Sequence, residues 1–453
     1  MGKKKKHPIK VQDLDVLEQI NLNAAGVDVG TEEIVVAVPK GRDERSVRPF
    51  ETFTADLNRL ADWLAACGIE TVAMESTGVY WIPLYEILEA RGFDVNLVNA
   101  QHVKNVTGRK TDILDCQWIQ QLHTYGLLRP SFRPPEHICA IRSLVRQRDM
   151  LIQYRSAHIQ HMQKALHLMN LQLTNVLSDI TGVTGMKIIR AIVDGEHNPE
   201  VLARHRDSRC AKSEAEIIKS LEGNYKREHL FALRQALELH DFYNQQLQAC
   251  DAELEVLYNE CEPVEALGNT PPKPCTAKRR KNQPFFDLAQ SLYRLIGVDL
   301  TAIDGLDALS IQTIVSEIGT DMSKWPTVKH FTSWLRLCPN NKITGGKVKH
   351  RGTLPTQNRA NKALRLGAQS LARSDSASGA FYRRIRAKNG APVAVTATAH
   401  RLARIVYFML KYKQPYRDQG ADYYEEQHRA RVIRNLERKA AKLGMRLEPA
   451  ASN

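Results

Sequence analysis

The strongest constraint on what this chain can fold into is the order of short apolar runs between residues 24 and 98. Ala24 to Asp28, Ile34 to Val38 and Ser46 to Thr52 have the composition of three strands, joined by short turns rich in Gly, Glu, Arg and Asp. Leu57, Leu60, Trp63 and Leu64 then fall at helical spacing. Thr71 to Met74 makes a buried strand ending at Glu75, Val79 to Ala90 a second helix, and Val95 to Val98 a further strand. A third helix is predicted from Asp112 to Tyr125, carried by Ile113, Leu114, Trp118, Ile119 and Leu122. Asp112 and Asp115, three residues apart, share one face of it.

Three strands, helix, strand, helix, strand is the order of an RNase H-like α/β domain, here expected over residues 24–129. That fold aims acids from strand ends at a later helix. Asp28, Glu75, Asp112 and Asp115 are the candidate catalytic and metal-binding quartet. Four carboxylates present hard oxygens, which suit Mg²⁺, and two ions about 4 Å apart can clamp the attacking and leaving oxygens of a phosphodiester. Any one of these acids alone reads as a cap or a surface charge; the quartet on a strand-rich domain does not. Arg109 and Lys110, just before the third helix, are candidate phosphate ligands, whereas His102 and His123 are given no role.

Beyond Pro130, Pro134 and Pro135 the chain turns helical, so the expected fold class is α/β plus all-α. Ile159, Met162, Leu166, Met169 and Leu173 step by three and four, and Leu230, Leu233, Leu237, Leu247 and Leu254 form a second seam interrupted by His240, Asn244 and Asp251. These seams predict a helical hairpin or coiled-coil dimerisation region over 136–261. A Pro-rich basic linker is expected over 262–286, a mainly helical domain over 287–424 and a charged tail over 425–453; residues 1–23, with four consecutive lysines, read as a flexible basic arm.

Charge is unevenly placed. The chain carries a net +14, yet Lys324 to Asn453 holds 27 Lys and Arg against 7 Asp and Glu, which leaves the preceding 323 residues net acidic. A polyanion bound by the C-terminal part is the expected consequence. Asn340 to Lys347 contains a hydroxyl, Thr344, ahead of Gly345-Gly346, with Lys342 and Lys347 alongside. It reads as a tight turn, or as a nucleophilic hydroxyl held against a phosphate. Arg359, Lys362 and Arg365 begin a basic helix, Phe381 to Arg386 interleaves aromatics with cations, and His400, Arg401 and Arg404 take polar positions on a helix over Val393 to Tyr412. Ile303 to Leu309 holds one tight Gly turn, a weak helix-hairpin-helix signal. No run reaches the length expected of a membrane span, no secretory signal is read at the N-terminus, and the eight cysteines make no C-x-x-C pair, so a soluble, cytoplasmic protein with reduced thiols and no membrane partner is expected.

Glu75-Ser76-Thr77-Gly78-Val79-Tyr80, Val98-Asn99-Ala100, Lys110 to Asp115, Ile343 to Lys347, Asn361 to Arg365 and Ala399 to Ala403 together resemble the DEDD-type insertion-sequence transposases, regarded as bridge-RNA-guided recombinases. The likeness runs over roughly residues 24 to 416, with the motifs in family order. It implies a RuvC-like N-terminal domain, a helical dimerisation region and a C-terminal transposase domain. It further implies a homodimer or homotetramer on double-stranded donor and target DNA, a structured guide RNA, and the quartet above as Mg²⁺ ligands in a bacterial, nucleoid-associated enzyme. A serine immediately before the paired glycines, forming a transient covalent link to DNA, is also implied; here that position is Thr344. Threonine keeps the hydroxyl, but its β-methyl restricts χ1 and crowds an in-line attack.

The expected function is therefore site-specific DNA recombination, cutting and rejoining the DNA of an insertion sequence by transesterification. Two other readings fit the same residues. In a metal-dependent junction endonuclease the quartet activates water and Thr344 is a turn residue; in a non-catalytic nucleic-acid-binding relative the scaffold outlived its chemistry.

Overall fold

The structure is a computed structural model that describes residues 18–76, 78–99, 112–265, 268, 270–273, 281–350, 352–356 and 358–448; the side chains of 112–114, 342 and 350 fall outside that description. The chain divides into two compact units, Met1–Arg133 and Pro134–Asn453.

The first unit is built on a five-stranded sheet of β1 (Ala24–Val29), β2 (Glu33–Ala37), β3 (Val47–Glu51), β4 (Thr71–Glu75) and β5 (Asp94–Val98), ordered β3-β2-β1-β4-β5. β1–β2 and β2–β3 pair antiparallel, the first through a three-residue connection and the second through a longer one, while β1–β4 and β4–β5 pair parallel, each across a helix. Those helices are α1 (Thr54–Ala66) and α2 (Trp81–Ala90). Alternation along the strands makes the sheet two-faced. Val27, Val29, Ile34, Val36, Val72, Met74 and Leu97 pack with Leu57, Leu60, Leu64, Leu84 and Leu88 into one continuous core. The opposite face is covered by α3 (Asp112–Thr124): Ile119 packs on Ala73 and Val98, and Cys116 on Val35 and Ala37.

Gly26 sets how closely α3 approaches. A Cβ there would collide with the backbone nitrogen of Gln120 and the backbone oxygen of Cys116, so helix and strand touch main chain to main chain. The far end of α3 is fastened by other means. Thr71 Oγ1 and His123 Nε2 hydrogen-bond at 2.9 Å, Ile20 and Asn21 donate their N–H groups to Thr124 O, and Asn21 Nδ2 donates to His123 O. Residues 18–23, which the sequence suggested were the end of a basic arm, thus satisfy carbonyls that a helix C-terminus leaves open.

In the second unit, α4 (Glu136–Leu168) and α9 (Arg227–Glu260) pack antiparallel along their length. Arg148 meets Asp251, Arg155 meets Asn244, and the His158 ring stacks on Tyr243, so ascending numbers on one helix meet descending numbers on the other. The polar residues that interrupt the second leucine seam are therefore internal partners. Arg148 and Asp251 are buried at 5% and 1% side-chain exposure, and Arg148 Nη2 also donates to Asn282 O at 2.9 Å. Breaking such a buried pair from one side costs about 3–5 kcal/mol. Between the long helices, α5 (Leu173–Val176), α6 (Val183–Val193), α7 (Pro199–Ala203) and α8 (Glu214–Ser220) close a separate apolar core with Met162, Leu166, Leu233 and Leu237. Thr181 and Gly182 lead straight into α6, with Gly182 in the N-cap position.

The remaining helices are α10 (Leu288–Ile296), α11 (Ala308–Ile318), α12 (Val328–Trp334), α13 (Arg359–Ser370), α14 (Ala377–Asn389), α15 (Ala391–Tyr412) and α16 (Gly420–Lys442), with a two-stranded hairpin of β6 (Lys342–Thr344) and β7 (Lys347–His350). Gly305 is not a loose turn residue. It crosses Gly367 of α13 so closely that a Cβ on either would stand 2.6 Å from the other's carbonyl oxygen. α15 corrects the expectation that no run approaches a membrane span, because it is long and apolar enough to cross one by length and composition. Its Ala394, Ala399, Leu402, Ala403, Val406 and Leu410 are instead buried in this unit, and Tyr407 donates its hydroxyl to Trp325 O at 2.9 Å. Among the described residues no disulfide joins the cysteines.

Candidate active site

The sheet register brings the first two acids together. β1 and β4 run parallel with Gly26 opposite Ala73 and Val27 opposite Met74, so Asp28 and Glu75 follow as the next neighbours, on the face that carries Gly26 and Ala73. Glu75 is in turn opposite Val98, which packs under Ile119 of α3. Both acids are half-buried while Val27, Val29 and Met74 around them are buried.

α3 runs opposite to these strands. Its last turn lies at the start of β4, where His123 meets Thr71, and its Cys116 carbonyl lies over Gly26, so its first turn, with Asp112 and Asp115, lies at the carboxyl ends of β1 and β4. Acids in a first helical turn also meet the positive end of the helix dipole. The Cys116 thiol reports the crowding: burial first, then the charges of Asp28 and Asp115, push it up to about 12. It stays protonated at neutral pH and offers no thiolate to compete with the carboxylates.

The donor set is all-oxygen and fits Mg²⁺ in kind. Among the described residues no three His, Cys, Asp or Glu side chains are close enough to hold a metal ion, and the Asp112 carboxylate lies outside the description. Arg109 and Lys110 also lie outside the described residues.

Thr344 lies in the second unit, exposed at the end of β6, paired with Lys347. Gly345 and Gly346 between them have φ of 56° and 72°. Two consecutive positive φ values in a two-residue connection are the demand of a type I′ hairpin, and glycine meets it without strain. A Cβ on either glycine would meet nothing within 4 Å, so the pair is explained by the turn rather than by close approach of another backbone.

The family model described as DEDD transposase of the IS110 type matches residues 25–170, and the one described as Transposase IS116/IS110/IS902 family matches 299–383. Together they account for more than half of the chain and include all four acids and Thr344. The chain belongs to this transposase family. A search of curated proteins finds no match to the chain.

The transposase places its other basic candidates unequally. Lys347 and Lys362 are exposed, and of Lys342 only the backbone is described. Arg359 donates to Asp149 Oδ2 at 2.8 Å, binding α13 to α4, and Arg365 donates to Thr396 Oγ1 at 2.9 Å on α15. Arg359 is thus already held by a carboxylate. Two residues that matter to this site escaped the reading of the sequence. Gly26 was signalled by a glycine inside a buried strand, which marks close approach of another backbone. His123, set aside in the sequence as a lone histidine, anchors the helix that carries two of the acids.

Proposed function

We propose that this transposase cuts and rejoins insertion-sequence DNA by phosphodiester transesterification, with Asp28, Glu75, Asp112 and Asp115 holding Mg²⁺ on an RNase H-like, RuvC-like domain and Thr344 as nucleophile. The observation that carries it is the main-chain contact of Gly26 with α3, from which Asp28 follows two residues on along the strand and Asp115 one residue before Cys116. When bound, the metal would supply a Lewis acid at the scissile phosphate. The Oγ–P bond of Thr344 forms as a P–O bond to deoxyribose breaks, the threonine hydroxyl proton passing to solvent and the departing deoxyribose oxygen taking one up. A strand-end hydroxyl reverses the exchange on a new partner, so bond energy is kept and no nucleotide hydrolysis is needed. Lys347 and Lys362, exposed in the basic unit, suit the neutralisation of phosphates. A guide RNA, donor and target duplexes, a homodimer or homotetramer, and a cytoplasmic, nucleoid-associated setting belong to the same proposal and rest on the family likeness.

The exposed hairpin position of Thr344 favours one competing reading, a metal-dependent junction endonuclease in which water attacks. Both readings require the quartet. Asp28→Asn and Asp115→Asn are expected to lower Mg²⁺-dependent cleavage of junction DNA by at least about 10²-fold, the scale of losing a major electrostatic contribution to the transition state. Cleavage within a few-fold of the wild type would remove the quartet from the chemistry.

A further inference from the structure

The second unit holds a cavity of about 510 Å³ between α14, α15 and the segment leading into α16, lined by Phe381, His400, Arg401, Arg404, Phe408 and Arg417 among others. Most of its lining lies beyond residue 383, where the family match ends. Pockets for small organic groups run from about 300 to 1,000 Å³. Its charge is unbalanced. Arg401, Arg404 and Arg417 form no salt bridge among the described residues. The acid at the rim, Asp418, instead accepts from the N–H groups of Ala377 and Gly420 and from the Tyr416 hydroxyl. Behind Phe381 the surplus deepens: the Arg384 guanidinium lies 4.9 Å and that of Arg401 5.5 Å from the Tyr424 ring centre, and buried Arg384 Nη1 has no hydrogen-bond partner. Burial, and then the neighbouring Arg404, hold His400 below its ordinary pKa, so at neutral pH it presents a flat, uncharged ring.

Guanidiniums without a carboxylate partner, beside aromatic rings of which Phe408 is exposed, match one chemistry: a phosphate joined to a planar base. We infer that this cavity takes a single unstacked nucleotide of a nucleic-acid strand, its phosphate on Arg404 and Arg417 and its base against Phe408 and His400. The inference rests on the proposed function only for its ligand class. A nucleotide in a continuous strand brings further phosphates to the basic unit around the cavity, which a free nucleotide does not. A paired base would first have to leave its stack, at a cost of a few kcal/mol, so single strands are favoured over duplex.

The test is fluorescence anisotropy of the full-length transposase with a labelled eight-nucleotide single strand and with the same sequence as duplex, in EDTA so that no cleavage occurs. Arg404→Gln and Arg417→Gln are each expected to weaken single-strand binding about tenfold and to flatten its salt dependence. Phe408→Leu is expected to lower the ratio of single-strand to duplex affinity about fivefold, the lower end of the effect of losing one stacked base. Single-strand affinities within twofold of the wild type for all three variants would overturn the inference. Displacement of the strand by micromolar dAMP would overturn its assignment to a strand rather than a free nucleotide. The result is separable from the catalytic proposal: Asp115→Asn read in cleavage tests that one, and neither outcome decides the other.

Discussion

His123 shows how one side chain can govern the site without touching it. Burial lowers its pKa, only partly opposed by the Asp94 charge, so the folded protein holds the ring neutral against Thr71 while the unfolded chain takes up a proton near pH 6.5. A depressed histidine stabilises the fold fully above the unfolded pKa, and that stability is lost as pH falls below it toward the folded pKa. Urea unfolding of the wild type is therefore expected to weaken between pH 7.5 and about 5, and His123→Asn to be less stable at pH 7.5 but to lose less on acidification. Equal pH slopes would mean that His123 is not the group responsible. The residue scale is also where the sequence was least legible. Arg359 reads in sequence as one more phosphate ligand on a basic helix, and only tertiary packing brings Asp149, 210 positions away, onto its guanidinium. His400, Arg401 and Arg404 of α15 gave a polarity pattern but no partner, because which side chains face a cavity depends on α14 and the 413–420 segment.

At the scale of elements, the first unit was legible almost throughout. Strands expected at 24–28, 34–38, 46–52, 71–74 and 95–98 form within a residue or two; β1, β2 and β4 are short, buried apolar runs bounded by turn residues, and β3, Val47–Glu51 with no buried residue, pairs at the edge of the sheet. The helix bearing Asp112 and Asp115 likewise begins at Asp112 and ends one residue before Tyr125. What the pattern did not carry was the distance between helix and sheet, which Gly26 sets. Gly26→Ala is expected to destabilise the protein by at least about 1–3 kcal/mol, since backbone atoms must move, and to reduce cleavage by shifting α3 away from β1. A variant with wild-type melting temperature and activity would show that α3 does not need this contact. The middle helices were read less completely. Leucine spacing predicted α4 and α9, but a seam cannot distinguish a partner within the chain from one in a second copy, and the four short helices between them hid behind Gly, Pro and Asn signals that also open helices.

For the whole molecule, the charge map and the proposed division of labour go together: the acids lie in a unit whose part of the chain is net acidic, and Thr344 in the part with 27 Lys and Arg against 7 Asp and Glu. With the proposed chemistry drawing on both, neither alone is expected to yield DNA covalently attached to protein. The direct measurement is a trapping assay with full-length protein, nicked junction DNA, Mg²⁺ and candidate guide RNA, resolved on a denaturing gel for the wild type, Thr344→Val and Asp112→Ala. Valine keeps the branched shape of threonine and removes only the hydroxyl, so the hairpin is expected to survive. A DNA-linked protein band in the wild type, absent from both variants, is the predicted result. Free cleavage products without that band, retained by Thr344→Val and lost in Asp112→Ala, would contradict the hydroxyl nucleophile and leave a metal-dependent nuclease.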